Sequence, residues 1–142
     1  MNESACIAPT AVLVGNVEVG ARSRVVYGAA LNSEASIVRI GDGVVVCENA
    51  VIRATALGIT PHPVLIADHA FIGPHATVLG CTLAQSVYVA TGATVLQGAE
   101  VGPRCVVAVG ALVHADAVVP EGSFIPPERA YFAPFRKSEK AE

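Results

Sequence analysis

The sequence predicts an all-β chain wound as a parallel β-helix, and three observations carry that expectation. From Leu83 the chain reads in sixes: LAQSVY, VATGAT, VLQGAE, VGPRCV, VAVGAL, VHADAV, VPEGSF. Each six opens on Leu or Val: Leu83, Val89, Val95, Val101, Val107, Val113 and Val119. Each fifth position is small or β-branched: Val87, Ala93, Ala99, Cys105, Ala111, Ala117 and Ser123. A repeat this short cannot bury a core alone, so neighbours must stack, three short strands and three tight corners to a coil.

The same sixes begin near the N-terminus. Ile7, Leu13, Val19, Val25, Leu31 and Ile37 read as leads, with Ala11, Val17, Ser23, Ala29 and Ala35 at fifth positions. The phase then slips by three, to Ile40, Val46 and Ile52. Such a slip implies a bulge or a longer corner, where side chains are re-aimed. The repeat is lost in LGITPHPVL, so residues 58–63 are predicted to project as a loop. It resumes at Ile66, Ile72 and Val78 and drops one residue before Leu83. About nineteen repeats make about six coils, roughly 30 Å tall at ~4.8 Å per stacked strand. The expected organisation is a β-helix over residues 1–123, then a short capping segment and tail over 124–142. There Pro126 and Pro127 stop the repeat, Tyr131, Phe132 and Phe135 fold back or reach a neighbour, and KSEKAE is solvated.

Composition agrees with thin stacked layers. The 142 residues suit one domain; 53% are hydrophobic and 15% charged, and Trp is absent. A net charge of −3 without a basic block argues against nucleic acid as partner. No run of ~18 apolar residues suggests a membrane span. MNESACIAPTAV lacks a cationic stretch followed by an apolar one, so it does not read as a leader. Cys6, Cys47, Cys81 and Cys105 form no C-x-x-C pair, and Cys105 falls in an inward slot. The expected location is the reducing cytoplasm. Tyr27, Val38, Phe71, Tyr88, Leu96 and Val109 fall at outward positions, which points to a partner surface and, most economically, to homo-oligomerisation.

IGDGVVVCENAVIRA, FIGPHATVLGCTLA and VATGATVLQGAEVG give the stretch from Ala11 to Ser123 a resemblance to the γ-class carbonic anhydrase-like branch of the hexapeptide-repeat proteins. The resemblance implies a left-handed helix and a homotrimer with sites between subunits. It also marks departures. Where carbonic anhydrases of the family place three zinc-binding histidines, this chain has Arg53, Pro74 and Leu79. Zinc catalysis of this kind needs three protein ligands and an open position for water, and Arg, Pro and Leu supply none. No metal is therefore expected. The family's subunit-linking arginine and aspartate correspond to Asn32 and Glu34; its glutamine facing the metal corresponds to Cys47, followed by the acidic Glu48.

Two chemical readings of the remaining residues stay open. Asn32, Glu34, Glu48, Arg53 and His75 are candidates for a small-ligand or catalytic site at the subunit interface. Arg53 either pairs with Glu34 or Glu48 as glue or binds a carboxylate or phosphate. His62, between Pro61 and Pro63, is a candidate general base, which would make the chain a CoA-dependent acyltransferase with acyl-CoA lying between prisms. A trimeric scaffold with nothing bound is the third reading. His69 and His75 occupy the fourth position of consecutive sixes, which lie on different faces, so they should diverge. His114 reads as solvent-facing. GDG at 41–43 and GPR at 102–104 read as corners rather than phosphate loops.

Overall fold

The computed structural model describes residues 1–55 and 60–127. Nineteen two- or three-residue strands stack into three parallel sheets. Sheet A holds β1 (Cys6–Ile7), β4 (Arg24–Val25), β7 (Val45–Val46), β10 (Phe71–Ile72), β13 (Tyr88–Val89), β16 (Val106–Val107) and β19 (Phe124–Ile125). Sheet B holds β2 (Val12–Val14), β5 (Ala30–Asn32), β8 (Val51–Arg53), β11 (Thr77–Leu79), β14 (Thr94–Val95) and β17 (Leu112–Val113). Sheet C holds β3 (Val17–Val19), β6 (Val38–Ile40), β9 (Val64–Ile66), β12 (Thr82–Leu83), β15 (Glu100–Val101) and β18 (Val118–Val119). The chain visits A, B and C in turn, so each coil contributes one strand to every sheet.

Strands this short have no independent stability; their partners are the coils above and below. The lead and fifth positions of the repeat point inward from the two sides of each strand. Leu31, Ile52, Ile72, Leu83 and Val89 are fully buried leads, and Ala29, Ala70, Ala93 and Cys105 are buried fifth positions. Large and small side chains thus alternate around the triangle, which lets a narrow core close without voids. The corners turn through one left-handed residue, glycine at eight positions and a non-glycine at eight others, among them Glu34, His69 and His75.

One assignment is corrected. Val38, expected outside, is fully buried, whereas Ile37 is half-buried and Ala35 is exposed. The three extra residues lie entirely within the corner before Val38, so Val38 is a fifth position and Ile40 the next lead. Adjacent β-branched residues at 37 and 38 leave the sequence unable to say which of them faces in.

The outward faces differ. Sheet A aligns Val45, Phe71, Tyr88, Val106 and Phe124 in one register column. The rings of Phe71 and Tyr88 stack with centroids 4.8 Å apart. Sheet C instead mixes charged and apolar residues, with Glu18, Arg39, Leu65, Thr82, Glu100 and Val118 in one register column, and Arg39 Nε donates to Glu18 Oε1 at 3.0 Å. Most of the segment expected to cap the helix, including Tyr131, Phe132 and Phe135, lies outside the described residues.

Candidate functional site

Spacing between successive leads locates every irregularity of the coil. Passing from sheet A to B, or from C to A, the leads are six apart in every coil. Passing from B to C they are not: Ile40 follows Leu31 by nine, Ile66 follows Ile52 by fourteen, and Leu83 follows Val78 by five. A long corner, an insertion and a short corner are therefore stacked on one edge, in three consecutive coils.

The long corner carries a charged cluster. Asn32 and Arg53 are register partners on β5 and β8, and Glu34 turns through φ 49° just after β5. The Glu34 amide donates to Asn32 Oδ1 at 2.9 Å, and Asn32 Nδ2 donates to Glu34 Oε2 at 3.0 Å. Arg53 reaches the same oxygen at 3.0 Å. Behind this turn the buried Ser33 hydroxyl accepts the Asn16 amide at 2.7 Å. Of the two partners considered for Arg53, the protomer uses Glu34. About half of the Arg53 side chain stays solvent-exposed, at 54%, so the guanidinium keeps donors free for a ligand or a second subunit.

Glu48 and His75 lie elsewhere. Both sit at the A–B edge, where the His75 amide donates to the Glu48 carbonyl at 3.0 Å, and both side chains are exposed. Within one protomer they are at the opposite side of face B from Arg53. The neighbouring Cys47 is buried, which pushes its thiol pKa up; Glu48 adds to the rise and Arg24 opposes it. His69 lies at the C–A edge, so it diverges from His75 as its spacing implied.

Arg53, Pro74 and Leu79, the positions that the resemblance sets against zinc-binding histidines, divide in the same way. Leu79 is the register partner of Arg53, while Pro74 sits at the A–B edge beside His75. None of these three side chains offers a lone pair to a metal. Among the described residues no group of three or more His, Cys, Asp or Glu converges as a metal site.

The insertion is pinched at its base. Thr55 and His62 exchange both backbone hydrogen bonds, at 2.9 and 2.7 Å, in an isolated antiparallel bridge. Of the loop predicted over 58–63, residues 58 and 59 lie outside the described residues. His62 is half-buried and rests on Gly80, at the short corner. Beside it runs an open groove of about 240 Å³, lined by His62, Pro63, Thr82, Glu100 and Asp116 along its rim. The sequence reading missed Thr82, Glu100 and Asp116. The signal was present in the five-residue spacing from Val78 to Leu83, read together with the fourteen-residue spacing one coil earlier.

No family model matches the chain. It is 32% identical over 124 residues to the mitochondrial γ carbonic anhydrase 1 of Arabidopsis thaliana, covering 86% of this chain and 45% of that protein. Its identity to the mitochondrial γ carbonic anhydrase 2 of the same plant is 31%, covering 82% and 42%. The chain thus spans less than half the length of these two relatives. Among solved structures it superposes on a hexapeptide transferase family protein from Anaplasma phagocytophilum with a TM-score of 0.74, 23% identity, 87% of this chain and 70% of that one. The acetyltransferase domain of PglB from Neisseria gonorrhoeae, in complex with acetyl coenzyme A, gives 0.73 at 23% identity, 85% and 53%. Those two likenesses concern the fold alone: the all-β, parallel left-handed helix of about six coils. With the sequence relatives, they place the chain in the γ-carbonic anhydrase-like, hexapeptide-repeat family. Among the described residues no helix is long and apolar enough to cross a membrane.

Proposed function

We propose that the chain is a metal-free γ-carbonic anhydrase-like module that forms a homotrimer and binds a small anionic ligand at the subunit interface through Arg53. The observation that carries the reading is the pairing of Arg53 with Leu79 in register at one edge of face B, with Pro74 at the other. Such a layout suits a site shared between subunits, one edge coming from each. Asn32, Glu34 and Arg53 would then face Glu48 and His75 of a neighbour. The apolar column on sheet A supports packing between prisms. A guanidinium in place of zinc can hold a carboxylate or phosphate bidentately, but it cannot bring bound water near neutrality, so carbonic anhydrase activity is not expected. Four free cysteines support a reducing compartment such as the cytoplasm.

The test is a thermal-shift screen of small carboxylates and phosphates on wild type and Arg53→Leu, with the mass in solution measured for both. A ligand response lost in the variant while the trimer persists supports binding. Loss of the trimer assigns Arg53 to assembly, and no response in wild type leaves a scaffold. The groove beside His62 favours one other reading, a CoA-dependent acyltransferase with His62 as general base. Stabilisation by CoA, and turnover abolished in His62→Ala at an unchanged melting temperature, would establish it.

A further inference from the structure

Sheet C carries a furrow down its outer face. The floor is the position after each lead, where only small residues or proline stand: Gly41, Ala67, Ala84, Gly102 and Pro120. Backbone hydrogen bonds stack these rows, the Gly41 amide donating to the Ile66 carbonyl at 2.8 Å and the Ala84 amide to the Val101 carbonyl at 2.9 Å. The glycines keep the floor low, since a Cβ on Gly102 would meet the Val119 carbonyl oxygen at 2.9 Å. Two cavities, of about 340 and 320 Å³, meet at Thr82 and Ala84, so the furrow is continuous from Arg39 to Glu121. One wall is the register column Arg39, Leu65, Thr82, Glu100 and Val118.

Charge decides what such a furrow accepts. Residues 1–127 hold five arginines and nine acidic residues. Among the described residues the ion pairs are Arg39–Glu18, Arg53–Glu34 and Arg104–Glu121, so neither Asp68 nor Glu100 takes part in one. The Asp68 carboxylate lies over Gly41 at the upper end, where a Cβ on that glycine would run into it. Glu100 stands toward the lower end. Between them the lining is apolar: Leu65, Ala67, Leu83 and Ala84. The one cation there, Arg39, already donates its Nε to Glu18. A concave surface with uncompensated carboxylates focuses a negative potential. The furrow therefore suits an apolar segment with basic ends.

The sequence supplies one. The described residues end at Pro127, just after the last strands of sheets C and A, and RAYFAPFRK follows at 129–137. That stretch holds three basic residues, Arg129, Arg136 and Lys137, around three aromatic ones, Tyr131, Phe132 and Phe135, and no acidic residue. Pro134 disfavours a helix across it. Nine extended residues reach about 30 Å, and the four coil steps from Pro120 up to Gly41 take about 19 Å. We propose that residues 129–137 occupy the sheet C furrow of their own chain as an extended segment. Arg129 lies toward Glu100, the aromatic residues over Ala84 and Ala67, and Arg136 and Lys137 toward Asp68. The proposal involves neither Arg53 nor the faces assigned to the trimer, so each can fail without the other.

The test is limited trypsin digestion of the full chain, with cleavage after Arg136 and Lys137 followed by mass spectrometry. Cleavage is expected to be slow at low salt and faster at high salt, which screens the charges. Glu100→Lys should speed it about fivefold or more, because cleavage follows the population of released segment. Glu100→Gln should speed it less, and Glu100→Lys combined with Arg129→Glu should restore slow cleavage. Circular dichroism and the melting temperature of each variant separate a released segment from a lost fold. Equal cleavage in wild type and Glu100→Lys, or no recovery in the charge swap, would overturn the proposal. So would a changed mass in solution for Glu100→Lys, which would make the furrow a seat for a second copy.

Discussion

The C–A and B–C edges are made from the same repeat, and they have been put to opposite uses. At the C–A edge all successive leads are six apart, and the corner hydrogen bonds close on one another. Asp42 Oδ1 accepts the Ala21 amide at 2.8 Å, and Asp68 Oδ1 accepts the Asp42 amide at 2.8 Å. The buried Ser23 hydroxyl donates to the Gly41 carbonyl at 2.6 Å and accepts the Val44 amide at 3.0 Å. The B–C edge has a long corner, an insertion and a short corner, a half-exposed ion pair, a groove and a buried hydroxyl without a partner among the described residues. A solenoid tolerates this because each coil needs only its neighbours. Two regular edges hold the register, and the third is free to vary in length and chemistry.

The largest expected effect tests the shared core. Ile72 is fully buried beneath the regular A–B edge, and Ile72→Ala should destabilise by about 3 kcal/mol in denaturant unfolding. A cost below about 1 kcal/mol would mean the core is not packed as described.

The next effect is a pH dependence at the short corner. Burial pushes the Cys81 thiol from its ordinary value of 9.0 up to about 12. Below 9.0 both folded and unfolded chains keep this proton; above it the unfolded chain releases it first. Stability should therefore fall as pH rises from 9.0 toward 12, by about 1 kcal/mol per unit from this thiol alone. The unfolding midpoint of Cys81→Ala should decline less steeply over that window. Parallel slopes would show that the thiol is not held protonated.

Smaller effects separate the two edges. Asp42→Ala deletes a rung of the C–A ladder and should cost about 1 kcal/mol of stability without changing assembly or ligand response. Arg53→Leu removes a solvent-facing pair and should cost under about 0.5 kcal/mol. Its effect should appear in trimer mass or ligand response instead. Equal stability losses at both positions would erase the contrast between the edges.

The coil was legible in the sequence because one side-chain period fixes both register and burial: leads such as Leu83 and fifth positions such as Cys105 lie where their spacing put them. Legibility failed at Ile37 and Val38, where two β-branched residues adjoin and only the corner length decides which faces in. The cluster of Asn32, Glu34 and Arg53 could be named from the resemblance, and the structure brings these three together. Glu48 and His75 were grouped with them, yet one protomer separates the two sets by the width of a face. Closing that gap requires a second chain, which a single sequence does not place. The groove at Glu100 and Asp116 was hidden for another reason: its residues come from coils well separated in sequence, and only counting repeats edge by edge stacks them.

The most direct test of the central claim is zinc content per chain on untagged protein never exposed to chelator, measured together with its mass in solution. The account predicts a trimer holding less than about one zinc per ten chains, because Arg53, Pro74 and Leu79 offer no ligands. One zinc per chain would contradict it. Groups such as His75, His62, Glu48 or a cysteine would then have rebuilt a metal site across the interface, and metal-assisted hydration or hydrolysis would replace anion binding as the leading function.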